Sequence, residues 1–194
     1  GFTETFEAGG GEILFVSHSA DPSEAVQKTN DYMTAYGDTD CIYATGEDYI
    51  TPAADVIKSR GITDCKIYGS NISPSVCQLI MDGQVEACTG GEFVCGSLAV
   101  TLLINYLDGN PIKDADGTAP YFDNLTQFMV TAENAEDFYE FLSDENLATH
   151  TISDEEYQNL LVRNNPDVDY DYFYDFLTNY EENVYAKVEA NAAQ

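Results

Sequence analysis

Short apolar runs alternate with longer amphipathic stretches along roughly the first two thirds of the chain, and polar turns with glycine or proline separate them. Residues 12–17 (EILFVS), flanked by Gly9-Gly10-Gly11 and by Asp21-Pro22, predict a strand buried on both faces. Asp21 is then an N-cap and Pro22 lies in the first turn of a helix carried by Ala25, Val26, Met33 and Ala35 and stopped at Gly37. The unit repeats: strand 40–44, helix 49–60 ended by Gly61, strand 65–68, a helix opened by Ser73-Pro74 and closed at Asp82-Gly83, strand 85–88, and helix 93–107 closed by Gly109. Strands alternating with helices of this length imply βαβ units and a parallel sheet.

Beyond Ile112 the pattern changes. Lys113-Asp114-Ala115-Asp116-Gly117 is a turn-rich connection, residues 127–131 (QFMVT) read as one last strand, and 132–142 as a helix. No further strand is predicted. Ser153-Asp154-Glu155-Glu156 has the layout of a capping box opening a helix to about Arg163. Residues 169–180 place Tyr170, Phe173, Tyr174, Phe176 and Leu177 at helical spacing. The expected result is an acidic helical appendage wrapped on the α/β body, aromatic faces inward and carboxylates outward.

Charge narrows the partners. Thirty-five acidic residues against seven basic ones give a net charge of −28, a field that repels phosphate backbones and anionic membrane surfaces. Nucleic acid is therefore excluded as a partner, and a neutral ligand is favoured, since only Lys28, Lys58, Arg60 and Lys66 could clamp an anion before residue 113. No run approaches the roughly 18 apolar residues that span a bilayer, and the opening GFT has neither the basic start nor the apolar stretch of a secretory signal. Either the protein is cytosolic or its export signal lies upstream.

The residues that usually carry chemistry form no constellation. Cys41, Cys65, Cys77, Cys88 and Cys95 include no C-x-x-C pair and are odd in number, so neither a zinc site nor a disulfide framework is indicated. Cys41, Cys65 and Cys88 fall in or beside strand patterns and read as small buried hydrophobes. His18 and His150 have no partners at a triad or ligand spacing. Asp167, Asp169 and Asp171 begin like a calcium loop, but Tyr172 stands where the loop needs glycine and Thr178 where it needs glutamate, leaving helix-terminal acids as the better account. Gly9-Gly10-Gly11 lacks the G-x-G-x-x-G layout, so no dinucleotide site, and no cofactor of any kind, is indicated. The chain is expected to bind, not to catalyse.

The stretch 65–112, CKIYGSNISPSVCQLIMDGQVEACTGGEFVCGSLAVTLLINYLDGNPI, carries the most specific signal. It runs strand, polar loop, Pro-started helix, Asp-Gly turn, strand, Gly-Gly loop, apolar helix. In that order it resembles the ligand-lining half of the type I solute-binding proteins of sugar ABC importers, the ribose- and galactose-binding group. The resemblance extends over about residues 1–131 and implies a Rossmann-like parallel sheet flanked by helices, the C-terminal lobe of a two-lobed binder. Residues 1–144 would be that lobe and 145–194 the acidic helical extension. Within the lobe, 93–112 would be a crossing at Gly90-Gly91 followed by a helix of an absent N-terminal lobe, its apolar run Leu98-Ala99-Val100 and Leu102-Leu103-Ile104 wet unless the missing lobe or self-association covers it.

The same resemblance places the ligand at the carboxyl ends of the strands. Glu47 stands where relatives carry an Asn-Asp pair, Asn71 follows the next strand end where they carry Gly-Phe-Asp, and Glu92 lies at the crossing where a Gln is usual. Planar carboxylates and amides suit sugar hydroxyls, and with no Trp in the chain Tyr49 is the candidate for stacking on a sugar face. The implied activity is capture of a small neutral solute, a sugar, and delivery to the membrane permease of an importer. The implied location is extracellular, as a cell-surface lipoprotein or in a periplasm. The effector-binding core of a lactose-repressor type regulator has the same fold and is the alternative. The −28 charge and the acidic extension weigh against it.

Overall fold

A computed structural model of the chain describes residues 2–143 and 151–193. The expected boundary at 144/145 and His150 lie outside the described residues. Helix α1 (Phe2–Ala8) is followed by α2 (Pro22–Ala35), β1 (Cys41–Ala44), α3 (Glu47–Ser59), β2 (Lys66–Ser70), α4 (Pro74–Met81), β3 (Ala87–Gly90), α5 (Cys95–Leu107), β4 (Phe128–Thr131) and α6 (Ala135–Ser143). Three more helices, α7 (Asp154–Asn159), α8 (Tyr170–Thr178) and α9 (Tyr180–Ala192), complete the chain. The strands lie in the order β1-β2-β3-β4, the first three parallel and β4 antiparallel to β3. The expected α/β sheet is present, with its last strand reversed.

Local chemistry accounts for most boundaries. Asp21 accepts the Glu24 amide at 2.9 Å and Ser73 the Val76 amide at 3.2 Å, each followed by a proline in the first helical turn. Ser153 and Glu156 form a reciprocal capping box. The expected strand 85–88 begins later, because the Val85 amide is taken by the Leu79 carbonyl of the preceding helix, and pairing runs over Ala87–Gly90 instead. Helix α9 is not capped by its Asn179 side chain, which donates to the Asp175 carbonyl instead, and it was not expected from the sequence. Tyr180, Val184 and Val188, four residues apart on one buried stripe, hold it in place.

One expected strand is absent. Residues 11–19 carry no regular structure, and Leu14, Phe15 and Val16 are exposed. An apolar run becomes a strand only when a neighbour satisfies its backbone, and no strand of the sheet pairs with this one. Phe15 instead packs on Tyr32 of α2 with ring centroids 3.9 Å apart. The end of the segment is tied down by Lys28 donating to the His18 carbonyl and Tyr49 donating to that of Ser19.

The core lies on one face of the sheet. The register aligns Ala44, Gly69, Cys88 and Val130 across the four strands, all buried. Gly69 lets Ile50 of α3 pack onto the strand, since a Cβ there would come within 2.4 Å of the Ile50 Cδ1. On the opposite face Tyr43, Tyr68 and Met129 are exposed, although Phe2 stacks on Tyr43 at 4.1 Å. Cys65, Cys77 and Cys88 are buried free thiols, with Cys77 and Cys88 both pushed up to about 12 by burial. Cys41, expected to be buried, is half-exposed because its position in β1 points to the open face.

The last three helices pack on the β4 side. Thr126 joins the segment before β4 to the end of α8, its amide and hydroxyl donating to the Leu177 carbonyl and its hydroxyl oxygen accepting from the Glu181 amide. The Tyr185 hydroxyl accepts from the Met129 amide and donates to the Met129 carbonyl, at 2.9 and 3.0 Å. Lys187 of α9 pairs with Glu156 of α7 and donates to the Thr151 carbonyl. Burial alone would raise the Glu156 pKa, but hydrogen bonds from Lys187 and from the Ser153 amide and hydroxyl outweigh it and hold the carboxyl below its ordinary 4.5. A depressed folded-state pKa gives stability that is present above the unfolded pKa and is lost as pH falls through the folded one. Glu156→Gln is therefore expected to cost about 1 kcal/mol in urea unfolding near neutral pH. The gap between the two proteins should narrow as pH falls below 4.5 and close once the folded-state carboxyl is protonated, whatever relief of acidic self-repulsion does to both.

Candidate functional site

Because β1, β2 and β3 are parallel, their carboxyl ends at Ala44, Ser70 and Gly90 lie on one edge of the sheet. From that edge start α3, α4 and a short 3-10 turn (Glu92–Val94) leading into α5. The amino ends of α3 and α4 therefore direct their unpaired N–H groups to the same rim. Glu47 is the first residue of α3, and its Oε1 accepts a hydrogen bond from the Ser75 hydroxyl in the first turn of α4. Ser75 lies 3.0 Å, oxygen to oxygen, from the capping Ser73. A carboxylate and two hydroxyls thus link the two helix starts across the loop that holds Asn71.

Asn71 adopts φ 75°, the only positive value outside glycine among the described residues, and its side chain is exposed. Asparagine tolerates this left-handed conformation better than most residues. The bend turns the chain from the end of β2 toward the rim. At the end of β3, Gly91 takes φ 122°, a conformation that L side chains rarely adopt. The ring of Tyr180 fills the space beside it, 2.9 Å from where a Cβ would be.

Glu92 follows directly, and its Oε2 is buried without a hydrogen-bond partner. The Thr151 and Tyr180 hydroxyls, on residues that are almost fully buried, lie beside one another in the same region. Burial pushes the Tyr180 phenol up well beyond its ordinary 10, with the neighbouring Glu92 charge acting in the same direction. Hydroxyls that can donate next to a carboxylate that can only accept form a polar group at the foot of the crossing.

The structure therefore brings Glu47, Asn71 and Glu92 to successive strand ends on one rim. Tyr49 starts from the same rim, in the first turn of α3, but its ring and hydroxyl are already engaged. That ring is half-buried against the core, and its hydroxyl donates to the Ser19 carbonyl at 3.1 Å. Ser75, Thr151 and Tyr180 were not found by sequence reasoning. Ser75 sits two residues past a recognisable cap and carries no signal of its own, and Tyr180 and Thr151 are far from the strand ends in sequence. Asp169 accepts the Tyr172 amide at 2.9 Å as the cap of α8, in keeping with its reading as a helix-terminal acid. Among the described residues no cluster of His, Cys, Asp and Glu is arranged to hold a metal ion, and no helix is long and apolar enough to cross a membrane.

Residues 1–111 match the sequence model of the periplasmic binding protein domain. No protein of curated function matches the chain. Among solved structures it is similar to a galactofuranose-binding protein at 21% identity and a TM-score of 0.59, covering 75% of this chain and 49% of the other. The periplasmic binding component of the arabinose ABC transporter from Shewanella sp. ANA-3, bound to L-arabinofuranose, is similar at 17% identity and 0.61, covering 76% and 49%. A Caulobacter myo-inositol-binding protein follows at 18% identity and 0.57, covering 70% and 46%. These likenesses show a shared fold, and the chain spans about half the length of the proteins it matches. With more than half of its residues matched, and with the sheet and rim described above, the chain belongs to the periplasmic binding protein domain family.

Proposed function

We propose that the chain is the C-terminal lobe of the substrate-binding component of an ABC-type sugar importer, acting outside the cytoplasmic membrane. The observation that carries this reading is the single rim on which three parallel strand ends gather Glu47, Asn71 and Glu92. Carboxylates and an amide of this kind match the donors and acceptors of a sugar ring. The cations support a neutral ligand, because Lys58, Arg60 and Lys66 lie elsewhere and Lys28 is already paired. Lys66 begins β2 at the opposite edge and pairs with Glu86 at 2.9 Å, Lys58 ends α3, Arg60 donates to the Asn30 carbonyl, and Lys28 pairs with Glu24.

The second jaw comes from a further lobe, and two surfaces support its presence. Tyr43, Tyr68 and Met129 leave one sheet face open, where parallel sheets are ordinarily covered on both sides. Helix α5 buries Leu98, Thr101 and Asn105 but exposes Val100 (55%), Leu103 (52%) and Leu107 (72%). In this reading the closed, loaded form docks on a membrane permease.

Two measurements test the proposal. Titration calorimetry of the protein carrying this lobe against neutral pentoses, hexoses and inositols should give saturable binding to one of them. Glu47→Ala and Asn71→Ala should each weaken it by about 1–3 kcal/mol, the scale for leaving a buried polar partner unpaired, with little change in melting temperature. Binding unaffected by either change would remove the rim from consideration. Separately, the 194-residue chain alone should self-associate or bind a hydrophobic dye in light-scattering and fluorescence measurements at micromolar concentration. A clean monomer with no dye binding would show that α5 and the open face need no cover.

A further inference from the structure

The family match ends at residue 111, yet the most deeply buried polar contact of α5 is made with residues far beyond it. Asn105 is completely buried. Its Nδ2 donates to the Leu160 carbonyl at 2.9 Å, and its Oδ1 accepts from the Val162 amide, also at 2.9 Å. One side chain thus satisfies a backbone acceptor and a backbone donor on the segment after α7. One turn on, Asp108 pairs with Arg163 of the same segment at 3.4 Å. At the other end of this region Tyr180 packs against Gly91, where the chain leaves the sheet for α5. That segment follows α7, which is tied to α9 by Lys187 on Glu156, and α9 and α8 are fastened to the sheet side by Tyr185 on Met129 and by Thr126 on the end of α8.

Helix α5 would otherwise meet the sheet through little more than the Gly90-Gly91 connection. We propose that the C-terminal helices are a splint. They bridge β4 to α5 and fix the angle at which α5 leaves the sheet, so that α5 can turn about Gly91 only by breaking the two hydrogen bonds of Asn105. Asn105 and Leu160 are buried, so breaking these bonds without replacement is costly. What this does to ligand capture rests on the reading of α5 as part of a closing jaw; the splint itself does not. In that setting the extension sets the resting opening of the two lobes and the stiffness of closure.

Hydrogen–deuterium exchange of the 194-residue chain, read by mass spectrometry without ligand, separates the splint from sugar binding. Asn105→Ala is expected to speed exchange in peptides across Cys95–Leu107 by about tenfold or more, while peptides over β2 and β3 change less than about twofold. Arg163→Ala, an exposed change that leaves the core intact, should give a smaller acceleration of about twofold, confined to the last turn of α5. Equal acceleration in α5 and in the central strands would mean that Asn105 serves global stability alone, and would overturn the proposal. So would unchanged exchange in α5. If Asn105→Ala does not fold, the Arg163→Ala pattern decides by itself: acceleration localised to the end of α5 supports the splint, and its absence refutes it.

Discussion

Parallel pairing of β1, β2 and β3 is the constraint from which the arrangement follows. A parallel pair needs a crossover, and the crossovers here are α3 and α4. Each begins immediately beyond a strand end, so the loops carrying Glu47 and Asn71 cannot avoid sharing an edge with the loop that follows β3. Close packing of the crossovers requires small residues in the strands. Gly69 accommodates Ile50, and Gly90 leaves room for Ile72 and the Phe128 ring, whose atoms would lie 2.4 and 2.7 Å from a Cβ placed there. Gly69, which lets α3 seat, also brings the start of that helix close to the rim.

Much of this was legible in the sequence because it was written in local signals. Asp21, Ser73 and Ser153 announced helix starts, the apolar tetrads around Ile42, Ile67 and Val130 announced strands, and the loop order gave the rim on which Glu47, Asn71 and Glu92 lie. What was illegible depended on partners far away. Whether residues 12–17 pair cannot be read from their own apolarity, because a strand exists only beside another. β4 runs antiparallel to β3, a direction that its own four residues do not record. Tyr49 looked well placed by position, yet a carbonyl thirty residues upstream claims its hydroxyl. Tyr180 and Thr151 reach the Glu92 region only through the folding of the last fifty residues.

The acidic composition finds a role once the helices are in place. Carboxylates occupy first turns in α2, α3, α6, α7, α8 and α9, where the helix macrodipole favours them. The few cations are used locally, as in Lys187 on Glu156 and Lys28 on Glu24. The remaining charge forms a shell around an apolar interior.

The two borders of the sheet are treated differently. Along β4 the Tyr185 hydroxyl occupies both the amide and the carbonyl of Met129, so a hydroxyl takes the place that a neighbouring strand would need. Along β1 no strand among the described residues stands outside Cys41–Ala44, and an unpaired border of this kind is a template for a further strand. Growth of the sheet is therefore directional: backbone from another segment or another molecule can be added beside β1 and is refused beside β4. Misassembly of this fold, such as edge-to-edge aggregation when the chain is concentrated, would start from Cys41–Ala44 and would leave the aromatic helices at the far border undisturbed.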